Sequence, residues 1–143
     1  MSSLLTSGLI AFVSCLGFSL AFNVHGMDMM YASVGGVIGW LVFLLGENLP
    51  SDLLQYFLAT IALSIYAEVM ARIRKAPVTV FQIIAMLPLV PGSGIYHTME
   101  YAIAGNTNLF LETGLHTLAI AGALSIGIIL VSSLVRLSRE YHR

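Results

Sequence analysis

The residues whose types and spacing can do chemistry crowd into one stretch of this chain, Met86-Leu87-Pro88-Leu89-Val90-Pro91-Gly92-Ser93-Gly94-Ile95-Tyr96-His97-Thr98-Met99-Glu100. Pro88 and Pro91 each remove a backbone donor and crowd the preceding turn, while Gly92 and Gly94 admit conformations that other residues avoid. A helix should break here. Free N–H groups at the start of a half-helix attract carboxylates, and free carbonyls at the end of one attract cations. Pro88, Pro91, Gly92, Ser93, Gly94 and Tyr96 are therefore the candidate substrate-binding set, with Ser93, or Ser93-Gly94, capping a second half-helix that begins near Ile95. The alternative is a proline kink with a structural role.

Three further residues are candidates for proton coupling. His97 and Glu100 lie three apart, so on a helix they share a face just past the break, where an ionisable pair can carry or relay a proton. The competing reading is a solvated or mutually hydrogen-bonded pair at the outer interface. Glu68 stands one turn before Arg72, the favourable order for a helical ion pair, and is read as that pair or as a relay. Gln82, Asp28 and His25 either line a cytoplasmic entrance or are hydrated helix-end residues. His-x-x-Glu alone completes no metal site, and His116 and His142 receive no role.

The elements that position these residues must be membrane helices. At 58% hydrophobic, 9% charged and a mean hydropathy of +0.93, the 143-residue chain lies outside the range of water-soluble domains. Its net charge of −1 provides no basic surface for nucleic acid. The single cysteine, Cys15, excludes a disulfide framework or thiolate metal site within one chain. Phosphate-binding loops with Lys, His-Glu-x-x-His, paired cysteines and Gly-x-Ser-x-Gly are all missing, so neither an enzyme nor a cofactor is expected.

Apolar runs place spans at about 4–21, 29–45, 53–71, 78–104 and 115–137, an all-α single transmembrane domain over 1–143. The start, Met1-Ser2-Ser3-Leu4-Leu5, has no positive n-region and reads as a retained span. The fourth span is the exceptional one. Its continuous apolar part, 78–90, reaches only roughly 20 Å as a helix, so it must pass through the Pro/Gly break to cross a core of about 30 Å, or else re-enter. Charge decides between these. All six basic residues follow the third run (Arg72, Arg74, Lys75) or the last (Arg136, Arg139, Arg143). Two crossings between the clusters put both in the cytoplasm, giving five spans with the N-terminus out and the C-terminus in. Small residues at four-residue spacing mark packing faces: Ser7, Ala11, Cys15 and Ser19; Gly35 and Gly39; Ala119, Ala123 and Gly127.

From roughly Leu16 to Arg139 the sequence resembles the small YjjB-like subunits of the threonine/serine exporter family. The resemblance rests on Phe22-Asn23-Val24, on Leu87-Pro88-Leu89-Val90-Pro91-Gly92-Ser93 with Tyr96 behind it, and on Gly122-Ala123-Leu124-Ser125-Ile126-Gly127. It implies a multi-pass protein of the bacterial inner membrane that works with a larger, YjjP-like membrane subunit. The implied cargo is a small carboxylate: threonine and serine, or dicarboxylates such as succinate, driven by the proton-motive force. The alternative assembly is a homo-oligomer of this chain. In single-chain relatives the equivalent segment forms the C-terminal half, so this chain is expected to be one part of a transporter. The rival expectation is a non-transporting subunit that stabilises or assembles the larger one. A membrane-embedded enzyme using His97 and Glu100 has the least support.

Overall fold

The computed structural model describes residues 2–141, with side-chain surroundings for 4–138. Arg143, His142 and the side chain of Arg139 lie outside the described residues. Six α-helices account for almost all of the chain: α1 (Ser2–Ala21), α2 (Met27–Leu45), α3 (Asp52–Arg74), α4 (Val78–Met86), α5 (Gly92–Ile103) and α6 (Thr107–Tyr141), with no strand among the described residues. Helices α1, α2, α3 and α6 are each long and apolar enough to cross a membrane, and the bent pair α4–α5 makes a fifth candidate.

Three of the helices stop in the same way. After α1 the amides of Asn23 and Val24 bond back to Leu20 and Ser19; after α5 those of Gly105 and Asn106 bond back to Ala102 and Tyr101. After α3 the Ala76 amide returns to Ala71. Each stop needs one residue in the left-handed region, supplied by Asn23 (φ 59°), Lys75 (φ 54°) and Gly105 (φ +71°). Asn106 then starts α6 by accepting the Leu109 amide on its side chain at 3.3 Å. The last helix consequently begins at Thr107, well before the expected start of that span at Leu115.

Helix α2 is the hub, packing on α1, α3 and α4, while α6 packs on α3 and α5. Close approach explains the hub. A Cβ at Gly36 would collide with the Cys15 sulfur of α1, and one at Gly39 would meet Leu63 of α3 at 3.0 Å. The expected small-residue face of α1 is present, with Ala11, Cys15 and Ser19 buried. On α6 the expectation holds for Gly127, which lies against Thr60, but Ala119 is exposed; the buried face there is Thr117, Ile120, Leu124, Gly127 and Val131. Residues four apart advance about 40° around a helix at each step, so a strict four-residue row walks off a seam that alternating steps of three and four follow.

Contacts along α3 and α6 fix their relative direction. Asp52 pairs with His116, Thr60 meets Gly127, and Glu68, Arg72 and Lys75 share a cavity with Arg136, so the two helices run parallel. Arg136 therefore lies at the same end of the molecule as Arg72, Arg74 and Lys75. The α4–α5 pair crosses between the ends: Val78 lines the cavity at the basic end, and Gly94 packs on Thr117, beside His116 at the other. It is bent by 56° on the way. Only residues to about Gly94 are needed for that traverse, so the rest of α5 and residues 107–115 form a hairpin projecting roughly 13 Å past the Asp52–His116 level, at about 1.5 Å per residue.

Candidate functional site

The break is built from two consecutive turns. Helix α4 tightens into a 3-10 turn over Leu87–Leu89, where Pro88 fits because no donor is required of it, and the Val90 amide closes back on Leu87. Val90 is extended, and Pro91 (φ −75°, ψ 63°) is the centre of an inverse γ-turn closed by the Gly92 amide on the Val90 carbonyl at 2.7 Å. The Pro91 carbonyl then accepts the Ile95 amide and α5 begins. Two expectations are corrected here. The second half-helix starts at Gly92 instead of near Ile95, because the γ-turn completes the change of direction at Pro91, and no side chain caps it, Ser93 included. As a result the amides of Ser93 and Gly94 have no protein partner among the described residues.

The candidate substrate residues point in several directions. Pro88 faces α1, in a shallow cavity of about 300 Å³ with Ser7, Ser14, Phe18 and Trp40. Pro91 is buried on the opposite side, in an apolar cleft of about 320 Å³ with Thr117, Leu118, Ala121 and Ser125 of α6. Gly94 lies against the Thr117 side chain, and Thr98 against Gly114, so paired glycine–threonine contacts hold α5 to α6. Gly92, Ser93 and Tyr96 face away from the bundle. His97 and Glu100 do pair, with Nδ1 to Oε2 at 3.0 Å, and both are exposed on the projecting hairpin. The Tyr96 and Tyr101 rings flank the imidazole at 5.4 and 6.3 Å. The break residues therefore do not converge on one pocket within this chain.

Glu68 lies at the other end of the molecule. The Glu68–Arg72 ion pair is not formed; among the described residues the ion pairs are Asp28–Arg74, His97–Glu100 and Asp52–His116. Arg74 is claimed by Asp28 across the bundle at 2.7 Å and lies over the Tyr31 ring at 5.4 Å, which ties the start of α2 to the end of α3. His25 is exposed and hydrogen-bonds the Asn23 carbonyl. Glu68 instead joins Arg72, Lys75, Ser132 and Arg136 around a cavity of about 570 Å³ between the end of α3, the start of α4 and the last third of α6.

The expectation for Gln82 is also corrected, because it is buried and neither lines an entrance nor is hydrated at a helix end. Its amide donates to the Ser64 hydroxyl at 3.3 Å, near the middle of α3. The side chains of Thr60 and Ser64 belong to the same buried layer, and Thr60 Oγ1 donates to the Tyr56 carbonyl. A mid-span glutamine is a recognisable signal, since a polar side chain in a bilayer core must face protein. Its pairing with α3 required knowledge of which helices are neighbours.

Comparison with known proteins gives two results. No solved structure matches this chain. A family model described as threonine/serine exporter, ThrE, matches residues 7–134, a range that takes in α1 through most of α6 and the whole α4–α5 break. An all-helical chain with one helix broken by two prolines and matched over nearly its full length belongs to the threonine/serine exporter family.

Proposed function

We propose that this chain is one subunit of a secondary exporter for small carboxylate-bearing metabolites, threonine and serine first and dicarboxylates such as succinate as the variant. It works in the bacterial inner membrane with a larger, YjjP-like subunit, coupled to protons, with its N-terminus outside and its C-terminus in the cytoplasm. Family membership over residues 7–134 is the observation that carries the reading. The broken span supports it, because helix breaks in membranes are kept where they line a cavity or meet a partner. The unpartnered amides of Ser93 and Gly94 and the outward-facing Ser93 and Tyr96 make half of a carboxylate site, which the larger subunit would complete. His97 and Glu100 on the same hairpin are the proton-coupling pair of this reading.

The test is efflux of labelled threonine, serine and succinate from cells without endogenous exporters, expressing this chain alone, the larger subunit alone, or both. Export that requires both chains, and is lost when Pro91 and Gly92 are both replaced by Ala although membrane levels hold, is the expected result. Undiminished export by that double variant would remove the break from the mechanism. One observation favours a second reading, an assembly subunit: α5 buries none of its residues in this chain, and Ile103 is 88% exposed. Under that reading the break variants lose co-purification with the larger subunit, not transport alone.

A further inference from the structure

The cavity at the basic end is ligand-sized, and the charges around it are uncommitted. Its volume of about 570 Å³ falls within the usual range for small-molecule sites. Among the described residues, three cations, Arg72, Lys75 and Arg136, surround it together with one carboxylate, Glu68, and the Ser132 hydroxyl. None of the four charged groups belongs to an ion pair among the described residues, although Glu68 and Arg72 stand one turn apart in the order that favours pairing. Arg74, in the same cluster, shows the contrast, since Asp28 neutralises it on the other side of α3. A role in setting membrane orientation needs only cations at this end. It does not require them to converge on a cavity from two helices, with an acid and a hydroxyl between them.

We infer that this cavity is the cytoplasmic loading site of the exporter and that it recognises a free hydroxy-α-amino acid as a zwitterion. Arg136, with Arg72 and Lys75, holds the carboxylate; Glu68 holds the ammonium; Ser132 hydrogen-bonds the side-chain hydroxyl. Guanidinium groups suit a carboxylate because they can bind it with two parallel hydrogen bonds. Glu68 makes the site selective, because its negative charge attracts an ammonium and repels a second carboxylate. The inference rests on the exporter reading and deepens it, since it locates a site some 30 Å of helix away from the break, counting α6 from 117 to 136 at about 1.5 Å per residue.

The experiment uses inside-out membrane vesicles containing this chain and its larger subunit, with labelled threonine as the probe. Arg136→Gln and Glu68→Gln should each raise KM for threonine about tenfold with little change in maximal rate, the loss of one charged hydrogen bond. Glu68→Gln should also make 3-hydroxybutyrate, which has the carboxylate and hydroxyl but no ammonium, a stronger competitor than it is against the unaltered protein. Both positions border an open cavity, so the variants should retain membrane levels and assembly. A threonine KM that is the same in both variants as in the unaltered protein overturns the loading site and leaves the exporter reading standing, as does transport of succinate without threonine by the unaltered pair; transport of none of threonine, serine and succinate overturns that reading itself. In vesicles of phosphatidylcholine alone, transport by the unaltered pair should persist. Loss there to the level of Arg136→Gln, restored by phosphatidylglycerol, would overturn the inference by making the cavity a lipid-headgroup site.

Discussion

Lys75 ends α3 in a left-handed conformation that α1 assigns to Asn23 and α5 to Gly105. A lysine Cβ is uncomfortable there by roughly 1 kcal/mol, which glycine would avoid. Lys75→Gly should therefore raise the unfolding midpoint of the purified protein while weakening threonine transport, because the same substitution removes a cation from the cavity wall. A lower midpoint would show that the side chain contributes more to folding than its backbone costs. Ser64 gives the opposite kind of prediction. Ser64→Ala removes the acceptor of the buried Gln82 amide and should cost about 0.6 kcal/mol, the typical worth of an interhelical hydrogen bond in a membrane. Adding Gln82→Leu should recover most of that loss, as read from denaturation in mixed micelles. Residue types were legible in the sequence at both positions, but partners were not. Glu68 and Arg72 are ideally spaced for each other, yet the local pair is unmade and both line a cavity with Arg136 of α6.

At the scale of elements, sequence periodicity located the helices well and their ends less well. The charge-free run of α1 and the small residues Ala11, Cys15, Ser19, Gly35 and Gly39 were sufficient to name the faces that α1 and α2 bury. Gly36 was not singled out, although it makes the closest approach to α1. Gly36→Ala should displace the Cys15 thiol, which contacts the Ile84 carbonyl at 3.5 Å, and destabilise the α1–α2 packing by about 1–3 kcal/mol. Cys15→Ala should restore much of it. Persistence of the defect in the double variant would place the conflict in the backbone. The break was legible because two prolines within four residues permit no regular helix, but its shape was not. The γ-turn at Pro91 closes on the Val90 carbonyl and leaves the Pro91 carbonyl to accept the Ile95 amide, so the helix starts at Gly92 and Ser93 has no capping role.

For the whole molecule, the positive-inside argument anticipated that both basic clusters lie at one end, and the parallel course of α3 and α6 places Arg136 at the end that carries Arg72, Arg74 and Lys75. Two engineered cysteines on either side of α6 test the direction. With the N-terminus outside, Asn106→Cys on the projecting hairpin should react with a membrane-impermeant maleimide in intact cells, and Ser138→Cys only after permeabilisation. Native Cys15 is fully buried and should contribute no background. Reaction at both positions in intact cells would exclude a crossing by α6.

The seam between α3 and α6 has a mechanical side. Gly127 meets Thr60 near the middle of the shared length, with the Asp52–His116 pair toward one end and Arg136 beside the basic cavity toward the other. A stiff rod resting on a mid-length fulcrum behaves as a seesaw: tilting it widens one end as it narrows the other. If α6 rocks on α3 about that contact, the basic cavity and the opposite face open in alternation, and α5, joined to α4 through the Pro91 turn, travels with it.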